Sequence, residues 1–218
     1  MPIQIENLLS AIKQARETGG KRGFTQTFEL SLNLKDIDLK KPESRISEEI
    51  VLPRGIGRPR KVAVFAEGEL ARKAKEAGAD IVLGREEIES MQGDKKKAKK
   101  IADEYHYFLA QADLMPSVGK FLGAVLGPRG KMPRPIPPTA DPAPLIERGR
   151  KVTRIRLRDQ PTINLPIGVE SLSDQELAEN AKIVIDTVER KLEKGFNQIA
   201  SVYVKTTMGK PVKVEVPK

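Results

Sequence analysis

Residues 52–61 read LPRGIGRPRK, and the fold turns on what lies to either side of them. Prolines 53 and 59, glycines 55 and 57 and the clustered cations leave no room for a helical or strand period, so the stretch marks a domain boundary. Upstream, TFELSLNL at 27–34 alternates strictly: Phe28, Leu30, Leu32 and Leu34 point one way, and Thr27, Glu29, Ser31 and Asn33 the other. That period of two predicts a strand with one face buried. Downstream, VAVFA at 62–66 is apolar without a break, as in a strand covered on both faces. From Val152 the alternating texture returns, in Ile155 and Leu157 and then in Ile163, Leu165, Ile167 and Val169. The ends share one texture and the middle has another. This predicts a discontinuous domain of residues 1–55 and 156–218 with residues 56–155 inserted, and two crossings flanked by Gly55 and Arg154 that serve as a hinge.

In the terminal segments, Ile5, Leu8, Leu9, Ile12 and Ala15 define an amphipathic helix over 3–18 stopped by Gly19-Gly20. A short strand is expected over 46–52. Ser173 caps a helix of about 20 residues carrying Leu177, Ala181, Val184, Ile185, Val188 and Leu192 and ended by Gly195. SVYVKTT and VKVEV supply two last strands, with Ala200, Val202 and Val204 inward in the first and Val212, Val214 and Val216 inward in the second. The expected fold class is α/β: a two-layer terminal domain, its antiparallel sheet carrying helices on one face, and a Rossmann-like middle domain in three layers. In the middle, strands at 62–66, 81–84 and 105–110 alternate with helices through about Ala77, around Ile88 and over about 116–126. Seven prolines between Pro128 and Pro144 predict a long loop without regular structure.

The composition narrows the chemistry. With 218 residues, 39% hydrophobic and 32% charged, the chain is that of a soluble globular protein, and no run approaches the roughly 20 apolar residues of a membrane helix. The start, MPIQIENLLSAIKQ, has no basic residue leading into an apolar run and reads as a mature cytosolic beginning. There is no cysteine and one histidine, His106, which sits in an apolar strand and reads as structural. Thiolate nucleophiles, disulfides, zinc clusters and Ser/His/Asp triads are thereby removed or nearly so. No pair of carboxylates stands out as an acid/base couple, and no metal or cofactor is expected. A net charge of +9 points to a polyanion, since each lysine or arginine placed on a phosphate releases a counterion.

That charge falls unevenly: residues 56–155 hold 20 basic and 13 acidic groups, against 9 and 8 in residues 1–55 and 10 and 9 in residues 156–218. Charge alone therefore favours the middle domain for RNA. The outer sheet face argues for the terminal one, because Ser201, Tyr203, Lys205 and Thr207 share a face and Thr27, Glu29, Ser31 and Asn33 form a similar row. Such a face suits hydrogen bonding to 2′-hydroxyls and phosphates, although a merely solvated sheet looks the same. Thr206-Thr207-Met208-Gly209-Lys210-Pro211 reads as a hairpin turn in which Gly209 supplies positive φ, with an exposed methionine at its tip. Gly127-Pro128-Arg129-Gly130 matches the GxxG loop that clamps a nucleic-acid backbone in KH domains. The KKKAKK run at 95–100 reads as a solvated helix face.

An amphipathic start, a strand opening with the lone Phe24, LPRGIG at the crossing, FLGAVLGPRGKMP near the end of the insert and SVYVKTTMG near the C-terminus together resemble the large-subunit ribosomal protein L-one family, archaeal type. The likeness spans essentially the whole chain, and its specificity lies in the order and spacing of GPRGKMP and TTMG. It implies a non-enzymatic, cytoplasmic, ribosome-associated protein, monomeric when free. The partners it implies are rRNA of the mobile side stalk, E-site tRNA, whose release it assists, and its own messenger RNA, whose translation it represses. It also implies that Phe24, Thr27, Glu29, Ser201, Thr207, Met208 and Gly209 contact RNA, with further contacts from Lys205, Lys210, Arg156, Arg158, Arg129 and Lys131. Gly23 stands where many bacterial relatives carry a basic residue, so one family contact has no counterpart. Two other classes stay open on the residues alone. One is a nucleotide-dependent enzyme using the middle sheet, against which the GxG of LPRGIGRPRK precedes its strand and GKRG at 20–23 lacks a P-loop ending. The other is a general RNA chaperone.

Overall fold

A computed structural model describes residues 3–39, 46–91, 93–157 and 160–215. The chain divides into two compact units, Met1–Arg58 with Lys151–Lys218, and Pro59–Arg150.

In the first unit, helix α1 (Ile5–Gly19) buries Leu8, Ala11, Ile12 and Ala15 on the face that the sequence spacing prescribes. It stops because Gly20 turns to φ 62°, which a residue with a side chain adopts at a cost. Strand β1 (Thr27–Leu34) buries Phe28, Leu30, Leu32 and Leu34. It lies inside an antiparallel sheet of order β10–β9–β1–β8, with β8 at Thr162–Val169, β9 at Ile199–Thr206 and β10 at Val212–Lys213. Helix α7 (Asp174–Lys191) packs beside α1, and both share one apolar core with the sheet. Its N-terminus is a full capping box: Ser173 Oγ accepts the Glu176 N–H, and Glu176 accepts the Ser173 N–H at 2.9 Å.

Strands β2 (Ser47–Val51) and β7 (Val152–Arg156) form a separate antiparallel ladder. Arg154 sits inside it opposite Glu49, and its guanidinium donates to Ser47 Oγ at 3.0 Å. Gly55 is also anchored in this unit, its carbonyl accepting from Asn180 Nδ2 at 2.9 Å. The crossings therefore lie at Arg58–Pro59 and Arg150–Lys151, and neither expected hinge residue stands at one. The reason is that Ile155 and Leu157 are buried in the terminal core, which draws β7 to β2. Moving the boundaries also dissolves the charge asymmetry: Pro59–Arg150 holds 17 basic and 13 acidic residues, a net +4 out of the +9 total.

Two details of the last strands differ from the alternating reading. Leu34 pairs with Ile199 and Asn33 with Ser201, so Ala200 is the extra residue of a bulge and is exposed rather than inward. The final strand is only Val212–Lys213; Val214 is buried as expected, and Val216 lies outside the described residues.

The second unit is a parallel sheet of order β4–β3–β5–β6, formed by β3 (Val62–Phe65), β4 (Ile81–Leu83), β5 (Tyr107–Gln111) and β6 (Arg134–Ile136). Ala63, Phe65, Phe108 and Ala110 meet helices α3 (Arg85–Ser90), α4 (Lys95–Glu104) and α5 (Met115–Leu126). Val62, Val64, Tyr107 and Leu109 face the other way, where α2 (Gly68–Glu76) and α6 (Ala143–Lys151) lie and Gly149 seats directly on the Tyr107 ring. Both faces are covered, and this is why VAVF carries no polar residue. The proline-rich segment is not wholly irregular. Pro135 is tolerated because β6 is an edge strand, and Pro144 because it falls in the first turn of α6. His106 precedes β5 rather than lying in it, and its side chain is exposed.

Candidate nucleic-acid interface

At one end of the terminal sheet the chain's two extremities meet. Thr206, the last residue of β9, pairs with Phe28, so Thr207 falls opposite Thr27 just where the backbone ladder ends. Its side chain continues that ladder: Thr207 Oγ1 accepts the Thr27 N–H at 3.0 Å and donates to the Thr27 carbonyl at 3.3 Å. One lone pair of the hydroxyl remains for an outside donor.

The turn itself is held from beneath. Gly209 N–H donates to the Thr206 carbonyl at 3.1 Å, and Met208 N–H to Gln26 Oε1 at 3.1 Å. Gly209 does not have the positive φ expected of it. Its lack of a side chain is required instead by packing: a Cβ there would overlap Thr206 Oγ1 and lie 3.1 Å from Gly19 Cα. The last turn of α1 and the TTMG turn thus touch backbone to backbone.

Gln26, fully buried, ties three segments into this corner. Its amide donates to the Gly20 carbonyl at 3.0 Å and to Glu170 Oε1 at 2.9 Å, while its backbone N–H donates to Glu170 Oε2 at 3.1 Å. Arg16 closes the network, donating to the carbonyls of Glu170 and Leu172 and to Asp174, with its guanidinium 5.0 Å above the Phe28 ring. Sequence reasoning passed over all three residues. Parity offered a signal, since Gln26 continues the inward row of Phe28 and Leu30, and Arg16 lies one turn beyond Ile12 on the apolar face of α1. A polar side chain on an inward face asks for a partner.

On this rigid base, Met208 is 60% and Phe24 51% exposed, large apolar side chains left to solvent. Glu29 pairs with Lys205 at 3.7 Å, and the Lys205 ammonium also donates to the Thr207 carbonyl at 3.3 Å. Further along the same outer face Asn33 donates to Ser201 Oγ at 3.0 Å and accepts from Thr162 Oγ1 at 3.2 Å, with Ser31 between Tyr203 and Asn164. Thr27, Glu29, Thr207, Met208 and Gly209 are therefore brought together with Lys205, Phe24 lies on the adjoining loop, and Ser201 sits at the far end of the face. Lys210 is exposed beside the turn. Arg156 lies on the β2–β7 ladder opposite Ser47, not within this sheet, and Arg158 lies outside the described residues.

Arg129 and Lys131 are in the other unit and are already engaged. Lys131 Nζ donates to the carbonyls of Ala102 and Tyr105 at 2.7 and 2.8 Å, and Arg129 reaches Asp103 at 2.6 Å and the Lys99 carbonyl at 3.3 Å. Burial pushes the Lys131 ammonium below the ordinary lysine range, with the Arg129 cation adding to the effect. The GPRGK segment thus staples the C-terminal end of α4, where unpaired carbonyls attract cations.

A nucleotide would be expected where the parallel sheet's strand order reverses, beyond the C-terminal ends of β3 and β5. That position carries Glu67, Gln111 and Asp113, joined by Glu67 N–H to Gln111 Oε1 at 3.1 Å and Gln111 Nε2 to Asp113 Oδ2 at 3.2 Å. A phosphate there would meet two carboxylates. Among the described residues no group of His, Asp and Glu side chains is arranged to hold a metal ion, and no helix is long and apolar enough to cross a membrane.

Comparison with known proteins places these features in a family. Residues 11–210 match the model of the Ribosomal protein L1p/L10e family. The chain is 49% identical over 209 residues to large ribosomal subunit protein uL1 of Methanothermobacter thermautotrophicus, covering 96% of this chain and 99% of that protein. It is 49% identical to the uL1 protein of Archaeoglobus fulgidus, over 98% of this chain and all of the relative, and 46% identical to that of Thermococcus kodakarensis, over 99% of this chain. A match of that extent, running through both units and both crossings, means that the chain belongs to the Ribosomal protein L1p/L10e family.

Proposed function

We propose that this protein is a structural, non-enzymatic constituent of the large ribosomal subunit, cytoplasmic and ribosome-associated, and that the corner built from Phe24, Thr27, Thr207, Met208 and Gly209 binds rRNA of the mobile side stalk. Its named relatives are large-subunit proteins. The observation that carries the site is the pair of exposed apolar side chains, Met208 and Phe24, held on a base whose polar groups are almost all internally paired. Rigid placement of this kind reads RNA by shape, with little help from net charge. Holding the stalk, the protein assists release of tRNA from the E site. By the same corner it binds a stalk-like site in its own messenger RNA and represses translation.

Equilibrium binding of the full chain to a stalk rRNA fragment and to a scrambled hairpin tests the site. Met208→Ala should weaken binding to the stalk fragment roughly tenfold or more and leave the scrambled hairpin unchanged, as loss of a buried anchor does at other interfaces. Unchanged stalk affinity in a folded variant would remove the assignment. The messenger reading is tested in parallel, since a leader RNA that uses the same corner must lose affinity by the same factor and must be displaced by the stalk fragment.

A further inference from the structure

The inserted unit carries a surface that neither its fold nor the terminal corner accounts for. Helix α5 (MPSVGKFLGAVL) already supplies Val118, Leu122 and Leu126 to the core, yet a second strip of it is also apolar. Phe121 and Val125 are half-buried and Ala124 is exposed, and they form one wall of an open groove of about 530 Å³ against α4. Buried Met91 and Ala98 and exposed Gly93 also line it, with exposed Lys99 from α4 and Lys120 from α5. The Lys120 ammonium lies 5.1 Å from the Phe121 ring centroid. Lys96, Lys97, Lys99, Lys100 and Lys120 are exposed, and none is in a salt bridge among the described residues. The acids nearest along α4 are committed elsewhere: Asp103 to Arg129, Glu104 to Lys61 and Asp94 to the N–H groups of Lys96 and Lys97.

We propose that this groove is a second RNA-binding site, one that takes a single unpaired base against Phe121 while the α4 lysines and Lys120 hold the flanking phosphates. The groove is of ordinary size for a small planar ligand. An aromatic face beside a cation offers a base both stacking and cation–π attraction, and exposed lysines from α4 and α5 offer the backbone its counterions. A peptide of acidic residues alone would satisfy the lysines but has no planar ring to fill the slot. Charge and apolar wall are explained together by a partner that carries both phosphates and planar bases, and unpaired RNA does. The inference is independent of the terminal corner.

The test uses the full chain with 13C-labelled methyl groups, titrated with decaadenylate RNA, with an abasic RNA decamer of the same phosphate count and with decaglutamate. Ala98, Ala124 and Val125 report the groove, and Met208 reports the terminal corner in the same spectra. Decaadenylate should shift the groove methyls, and the abasic decamer should bind there roughly tenfold more weakly, the size of one lost stacking contact. Lys99→Gln with Lys120→Gln should lower the salt slope of groove binding by about 1.4, for two phosphates of a single strand. Phe121→Leu keeps an apolar wall, should melt as a folded protein, and should erase the difference between decaadenylate and the abasic decamer. Groove methyls that stay still while Met208 shifts would overturn the proposal, as would an abasic decamer or decaglutamate that binds the groove as tightly as decaadenylate.

Discussion

Thr207 has one hydroxyl proton, and the Thr27 carbonyl takes it. Thr206, its neighbour, has a buried hydroxyl with no hydrogen-bond partner among the described residues, wedged between Gly19 and Gly209. Two adjacent threonines therefore answer the same substitution in opposite ways. Thr207→Val strips both the N–H and the carbonyl of Thr27 of their partner, which should destabilise the fold by about 1–3 kcal/mol and weaken stalk RNA binding at every salt concentration. Thr206→Val removes a hydroxyl that bonds nothing while keeping its shape, and should be neutral or stabilising in the same thermal melts. Thr207→Ser should restore what Thr207→Val loses; if it does not, the hydroxyl is not the operative group. Of this arrangement, the sequence disclosed which residues alternate and that a methionine stands at a turn. The Gln26–Glu170–Arg16 network stayed hidden because Glu170 lies about 150 residues along the chain from both Gln26 and Arg16, and a partner at that distance leaves no local pattern.

Elements were legible where a period repeats and illegible where position in the sheet decides. The helix opened by Ser173 was readable because a capping serine precedes a repeating apolar period, and Ser173→Ala should cost about 1 kcal/mol by removing the cap. Hydrogen bonds from Ser173 hold the Glu176 carboxyl below its ordinary value. A depressed carboxyl contributes stability that is fully present above the ordinary glutamate range and is lost as the pH falls through the folded value. Ser173→Ala keeps the backbone N–H bond to Glu176 and loses only the hydroxyl's, so its stability difference from the parent chain should shrink in melts run at progressively acidic pH; a difference constant with pH would mean that the hydroxyl does not help hold the Glu176 carboxylate. By contrast, β6 and α6 lay concealed in the proline-rich segment, because Pro135 is acceptable only on an edge and Pro144 only in a first turn. Neither circumstance is visible from the residues themselves. GPRGK is ambiguous in sequence for a related reason: spacing alone does not distinguish a loop that grips a phosphate from one whose cations turn back onto the carbonyls ending α4.

For the whole molecule, the two textures mark an insertion, but its C-terminal edge falls one strand earlier than they suggest and its N-terminal edge about three residues later, since β7 alternates too briefly to announce which core it joins. The difference has an experimental consequence. Leu52 N–H already reaches the Lys151 carbonyl at 2.9 Å, so a chain in which Arg58 is joined to Lys151 by a short glycine-rich linker should melt cooperatively and bind stalk RNA within a few-fold of the full protein. Joining Gly55 to Arg156 instead deletes β7 with its buried Val152, Thr153 and Ile155 and leaves β2 without a partner, and that chain should show no cooperative transition. The terminal unit's topology also has a consequence in time. Phe28 pairs with Thr206, and at roughly 5–20 residues per second a ribosome needs on the order of ten seconds or more to make the chain between them. Within that interval the inserted unit acquires all of its strands, whereas β1 gains β8 only late and lacks β9 until the end. A chain released early, anywhere short of β9, emerges with an unpaired hydrophobic edge and no TTMG turn: it is exposed to aggregation, and it cannot compete with finished copies for RNA.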